Sequence, residues 1–378
     1  MADMEKSVLK ARARFEKKAG AKLLGAAFRG DDFELAGLLA RGAGAMANCA
    51  AALLGAAIAK STRCVELLLP NIGDDERARH AVRDALSEAA ANGSEGIVSM
   101  ILCAKKLQIE DGSIRSALAA ASSLGRSRSV AALIPFANMD DRSFGLMRAA
   151  ARGMVECVKE LLPVANHSAN DFEALRSAAK VERGGRECAE LLLPLAAAML
   201  PDVRAQEAIN AAALGAAAKG LEGALGLALP FASQEGRLAA MVMAAQTGKH
   251  GALSLAIEAA GARSAGFEQA ASKALSCAVF FDEVDCVKAL APVANCKASG
   301  SLALATAAAK GFDGCVAELL PWSDLFAGQD GSSPMDAAQA ARESGHHHTA
   351  ELIDSYREAR ELSEIGKTSG RRGVALRI

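Results

Sequence analysis

The chain has 378 residues, 51% hydrophobic and 23% charged, which is ample apolar material for a large buried core. Its 43 Lys and Arg nearly cancel 44 Asp and Glu, and a formal net charge of −1 excludes a global pull towards nucleic acid or a membrane surface. Aromatic residues make up only 4%, which argues against a large aromatic-lined cofactor pocket; alanine, the strongest helix former, fills their place and predicts an all-α fold.

Residues 1–20, MADMEKSVLKARARFEKKAG, are basic but lack the continuous apolar stretch of a secretory signal. They are expected to form an amphipathic capping helix over the first repeat, because a terminal repeat needs a polar outer face. From residue 21 to 354 one pattern recurs, clearest in Met147 to Pro163, MRAAARGMVECVKELLP. A small-residue helix meets a glycine corner, and a second helix leaves it and stops at proline. The corner slot holds Gly30, Lys60, Gly93, Gly125, Gly153, Gly184, Gly220, Gly248, Asp282, Gly311 and Gly345, spaced 28 to 36 residues apart. Two small residues, such as Ala26-Ala27 and Ala149-Ala150, stand four and three places before most corners. Close packing of one first helix on the next requires residues this small.

Four places after the corner stands Cys64, Cys157, Cys188, Cys286 or Cys315, with an apolar pair such as Leu161-Leu162 beyond it on the same helix face. Seven repeats then carry proline: Pro70, Pro135, Pro163, Pro194, Pro230, Pro292 and Pro321. Proline lacks the helical donor and disfavours α geometry in the residue before it, so each is expected to end a helix. Asp31, Ser94, Ser127 and Asp313 lie where short polar side chains can cap the second helix. The longest uncharged run, Gly42 to Ala59, is 18 residues of mostly Ala and Gly, too weakly apolar for a membrane span. Residues 355–378 continue the last helix and end in a frayed basic tail, GKTSGRRGVALRI. About eleven helix–turn–helix units result, stacked as an α-solenoid.

A period near 33 with a glycine-centred helix pair resembles the ankyrin repeat. Asp330-Gly331-Ser332-Ser333-Pro334-Met335-Asp336-Ala337-Ala338, with Gly345-His346 after it, is the nearest match to that family's phrasing, and Gly248-Lys249-His250 fits as well. The likeness spans residues 21–354. Thr-Pro at the first helix survives only as Ser333-Pro334, and the D-x-x-G hairpin tip is mostly missing, so reduced β-hairpins are expected. The tetratricopeptide pattern has a similar period, but its Trp, Gly and Tyr signature is absent.

The motifs for catalysis fail on inspection. Glu361 stands where a Walker loop before Gly366 needs glycine, and no metalloprotease, hydrolase-elbow or kinase signature occurs. His346, His347 and His348 are consecutive on a helix, where neighbours point about 100° apart and cannot share one metal. The repeated cysteines, about 10 Å apart in stacked helices, lie beyond disulfide reach and are expected as small core residues. Cys49, Cys103, Cys277 and Cys296 fall outside that slot. The chain is therefore expected to be no enzyme and to need no cofactor.

A surface remains. The resemblance implies that partners dock on the first helices and the loops before them, with the two residues before each corner as contact positions. Arg29, Asn92, Arg152, Arg183, Lys219, Phe280, Phe281 and Lys310 are the candidates. Their cations form a stripe that suits an acidic segment of a partner, or else complement the C-terminal dipole of each first helix. Phe280 and Phe281 either form an exposed apolar anchor or lie buried beside Asp282. The expected function is protein binding by a monomer in the cytoplasm, its own or that of a host into which it is delivered. The partner is another protein, neither nucleic acid nor membrane. The alternative is an effector or immunity-type protein that blocks an enzyme.

Overall fold

The structure is a computed structural model that describes residues 18–42, 49–73, 75–104, 109, 111–296, 301–325 and 336–375. No strand forms among them, and the fold is all-α. The described residues form eleven helical hairpins, in the two compact units Met1–Leu200 and Pro201–Ile378. The first unit pairs α1 (18–29) with α2 (Asp32–Ala40), α3 (Cys49–Ile58) with α4 (Thr62–Leu68), and α5 (Glu76–Ala91) with α6 (Glu95–Cys103). It continues with α7 (Asp111–Ser123) and α8 (Ser127–Leu133), α9 (Met139–Ala150) and α10 (Val155–Leu161), and α11 (Ala169–Ala178) and α12 (Gly185–Ala198). The second unit pairs α13 (Val203–Lys219) with α14 (Glu222–Ala228), α15 (Gln234–Gln246) with α16 (His250–Ala260), and α17 (Phe267–Phe280) with α18 (Val284–Leu290). It ends with α19 (Leu302–Lys310) and α20 (Asp313–Leu319), then α21 (Ala337–Glu343) and α22 (His347–Ala375).

The corners share one pair of hydrogen bonds. At Gly93 the glycine N–H donates to Ala90 O at 3.2 Å, and the next N–H, of Ser94, donates to Ala89 O at 2.9 Å. This pairing closes a helix through one left-handed residue and satisfies two otherwise orphaned carbonyls. It recurs at Gly30, Lys60, Gly125, Gly153, Gly220, Gly248, Asp282, Gly311 and Gly345. The glycines at these corners have φ between 67° and 84°, which an L side chain resists; Lys60 (57°) and Asp282 (60°) adopt it nonetheless.

Small residues before the corner let hairpins nest. Ala26, Ala27, Ala56, Ala57, Ala89 and Ala90 are fully buried, as are Ala216, Ala217, Ala307 and Ala308. In the first unit α3 packs on α5, α5 on α7, α7 on α9 and α9 on α11, while the second helices form a parallel row from α4 through α12. In the second unit the rows run from α13 through α21 and from α14 through α22. Leu68, Leu161 and Leu319, with Cys64, Cys157 and Cys315, fill the space between rows without exposure. Burying one such leucine contributes about 2 kcal/mol.

Four expectations change. Pro194 lies inside α12 rather than ending it; the apolar residues after it continue the helix and bury Ala196, which outweighs the lost donor. Of the four candidate caps only Asp31 acts so, accepting from Glu34 N at 2.8 Å. Ser94 makes no side-chain cap, while Ser127 and Asp313 are already the first residues of their helices. Ser61 caps instead, accepting from Cys64 N at 3.3 Å. The sixth hairpin has its buried small pair at Ala178-Ala179, and its corner is longer than the others by two residues, as Ala179 to Cys188 compared with Ala150 to Cys157 shows. Finally, α22 runs through the expected tail to Ala375. Of the expected capping helix 1–20, only 18–20 are among the described residues, and they open α1. The Asp330–Met335 part of the family phrase lies outside the described residues.

A Cβ on Gly153 would lie 2.0 Å from the Arg183 carbonyl oxygen, whereas one on Gly345 would meet nothing within 4 Å. Gly345→Ala should therefore cost about 1–2 kcal/mol for the left-handed backbone alone, and Gly153→Ala distinctly more. Lys60→Gly should gain about 1 kcal/mol. Urea unfolding of the three variants checks the order, and equal losses at 153 and 345 would break the account. Ser129 occupies the cysteine slot of the fourth hairpin with a buried hydroxyl that has no hydrogen-bond partner among the described residues. Ser129→Ala should raise stability by about 1 kcal/mol in the same assay.

Candidate partner-binding surface

The corners bring successive hairpins into register along one edge of each unit. The residue after a corner sits over the glycine of the corner before it: a Cβ on Gly30 would meet Ser61, on Gly93 Arg126, and on Gly125 Met154. In the second unit a Cβ on Gly220 would meet Lys249, on Gly248 Glu283, and on Gly311 the His346 ring. The two residues before each corner end the first helix and stand at this edge. Several large apolar side chains here are exposed: Phe28, Ile58, Leu124, Phe280 and Phe281.

The candidate cations divide into engaged and unengaged groups. Arg29 is ion-paired with Glu34 across its own corner. Lys310 reaches back to α17, donating from Nζ to Phe280 O at 3.1 Å and lying 3.5 Å from the Phe280 ring centroid and 5.5 Å from that of Phe312. It caps a helix C-terminus and stacks on an aromatic face, so little of its charge is left for a ligand. Asn92 is half-buried and donates from Nδ2 to Glu88 Oε1 at 3.0 Å. Arg152 and Lys219 are exposed at helix ends, with no ion pair among the described residues. Arg183 is exposed too, but it lies in the lengthened sixth corner, where Lys180 directly succeeds the small pair. The cationic stripe is thus broken into local pieces.

Phe280 and Phe281 are 56% and 52% exposed, and their rings meet edge to face at 5.2 Å and 81°. The pair is exposed rather than buried. Asp282, in the glycine slot, accepts from the Cys315 thiol at 3.3 Å, which ties this corner to the next hairpin.

A second feature carries no sequence motif: an open groove between α7 and α9, lined by Arg115, Phe144 and Arg148 among others. Its residues belong to first-helix faces and come from three turns of one helix and two of its neighbour, so nothing local marks them.

None of the nine cysteines forms a disulfide. Cys64, Cys157, Cys188, Cys286 and Cys315 are buried in their common slot, and Cys49 and Cys296 are buried as well. Burial pushes the Cys157 and Cys286 thiols up to about 11 and those of Cys188 and Cys315 to about 12, with nearby carboxylates adding to the rise. A thiolate nucleophile is therefore disfavoured at these positions. His346 is half-buried against Gly311, while His347 and His348 are exposed. Among the described residues no helix is long and apolar enough to cross a membrane. No family model matches the chain, and no curated protein matches it.

The thiols yield a test with a defined sign. Their folded pKa values are raised, so their contribution to stability is complete below the unfolded thiol value of about 8.5. It is lost as pH rises through about 11 to about 12. Thermal midpoints should stay level with respect to these groups from neutral pH to about 8.5 and then fall. In the native state a thiol reagent should label exposed Cys103 fast and leave the seven buried cysteines silent until unfolding; rapid labelling of most thiols would contradict the burial.

Proposed function

We propose that the chain is an array of ankyrin-like repeats acting as a non-catalytic protein-binding module. The corner edge and the first-helix faces of each unit serve as its contact surface. The observation that supports it best is the placement of the large apolar side chains. Phe280 and Phe281 are more than half exposed at their corner, with Lys310 on the Phe280 ring. Residues with so much exposed aromatic area typify the anchors that dominate protein interfaces. The repeat framework supplies rigidity, so the surface is presented with little ordering cost on binding.

Cysteines without disulfides suit a reducing compartment, and we place the protein in the cytoplasm, its own or a host's. Because Lys310 is engaged within the fold, the corner anchor at Phe280 and Phe281 in the second unit is apolar first and cationic second.

Affinity capture with the full chain should recover one protein at fixed stoichiometry. Replacing both Phe280 and Phe281 with Ala should weaken that complex by about 2–4 kcal/mol, read by calorimetry, while the thermal midpoint holds. Unchanged affinity would remove the anchor from the interface.

A further inference from the structure

The groove between α7 and α9 in the first unit has a volume of about 500 Å³ and opens on first-helix faces, reaching the Gly125 corner at Ser123 and Leu124. Its charged lining residues are both cations, Arg115 and Arg148, and Phe144, Ala120 and Leu124 supply apolar surface beside them. Each guanidinium is held by its Nε. Arg115 donates to Asp141 Oδ1 at 2.6 Å, with its Cζ 5.9 Å from the Phe144 ring centroid, and Arg148 donates to Ser123 Oγ at 3.1 Å. The Nη groups of both make no hydrogen bond among the described residues. Two oriented donor forks therefore face a groove with an aromatic wall, and such forks match carboxylate geometry.

Charge decides between anions. The buried Asp141 carboxylate already neutralises Arg115, so the groove offers one uncompensated positive charge, suited to a singly charged carboxylate over a doubly charged phosphate. We infer that this groove binds an acidic peptide segment, taking a Glu or Asp carboxylate on the Nη donors of Arg115 and Arg148 and an adjacent apolar side chain against Phe144 and Leu124. This rests on the protein-binding reading and assigns it a ligand chemistry in a groove that shares only Ser123 and Leu124 with the corner edge.

The test is selection of a random peptide library on the full chain, then fluorescence anisotropy with a fluorescein-labelled copy of the enriched peptide. Enriched peptides should carry Glu or Asp next to Leu, Phe or Trp. Changing that acidic residue to Gln or Asn, or introducing Arg148→Gln, should weaken binding about tenfold or more. Ser123→Ala, which releases Arg148 without removing its charge, should weaken it less, and circular dichroism confirms that each variant is folded. Failure to enrich any peptide, enrichment of peptides without acidic residues, or equal binding to Arg148→Gln overturns the proposal. Peptides that bind Arg148→Gln normally but lose affinity for the Phe280→Ala, Phe281→Ala double variant overturn the groove while leaving the binding-module reading intact.

Discussion

The constraint on which this architecture depends is the left-handed residue at the corner. A helix that ends in that conformation turns its chain back at once, and the two hydrogen bonds that close it involve the carbonyls of the small residues three and four places earlier. Alanine there serves twice. It leaves the carbonyls accessible to the turn and lets the next first helix approach without a side chain between. Gly153 and Gly184 show how close this approach becomes, since a single added carbon on either would fall about 2 Å from a backbone oxygen of the other hairpin. Corner, small pair and stacking are one geometric requirement seen at three scales.

Much of the fold was legible because that requirement writes itself into spacing. Glycine at the corner, two alanines before it and cysteine after it mark the hairpins, since each residue type answers a local demand. Prolines were legible for the same reason, except at Pro194, where the alanine-rich continuation of α12 decides the outcome. The sixth hairpin departs from its spacing because Gly184, left-handed like the corner glycines, has a different role. It opens α12 instead of closing α11. Caps were the least legible element. Ser61 and Ser94 occupy equivalent places after their corners, yet only Ser61 accepts a hydrogen bond, and rotamer choice of that kind leaves no trace in spacing.

The candidate surface was legible in position but not in energetics. Sequence located the residues before each corner, and outside the lengthened sixth corner they end the first helix at the edge. It could not tell that Arg29 pairs with Glu34 or that Lys310 is taken up by Phe280. Those outcomes depend on which long side chain reaches which neighbour, within a corner or across a hairpin boundary. The α7–α9 groove lay beyond sequence altogether, because it exists only when two helices are placed side by side, as in the contact between Arg115 and Asp141, 26 residues apart. Surface chemistry in a repeat protein is written between repeats, where periodicity carries no information.

The extensive helix contacts of each unit join a helix only to its own hairpin or to the adjacent one. Closing such a contact spans little chain, so the entropic penalty of each step stays small and similar along the array. Order can start at any well-formed hairpin and spread outwards, and a growing polypeptide can settle hairpin by hairpin as it leaves the ribosome. Damage travels by the same rule: a lost end hairpin exposes one fresh face and leaves the others standing.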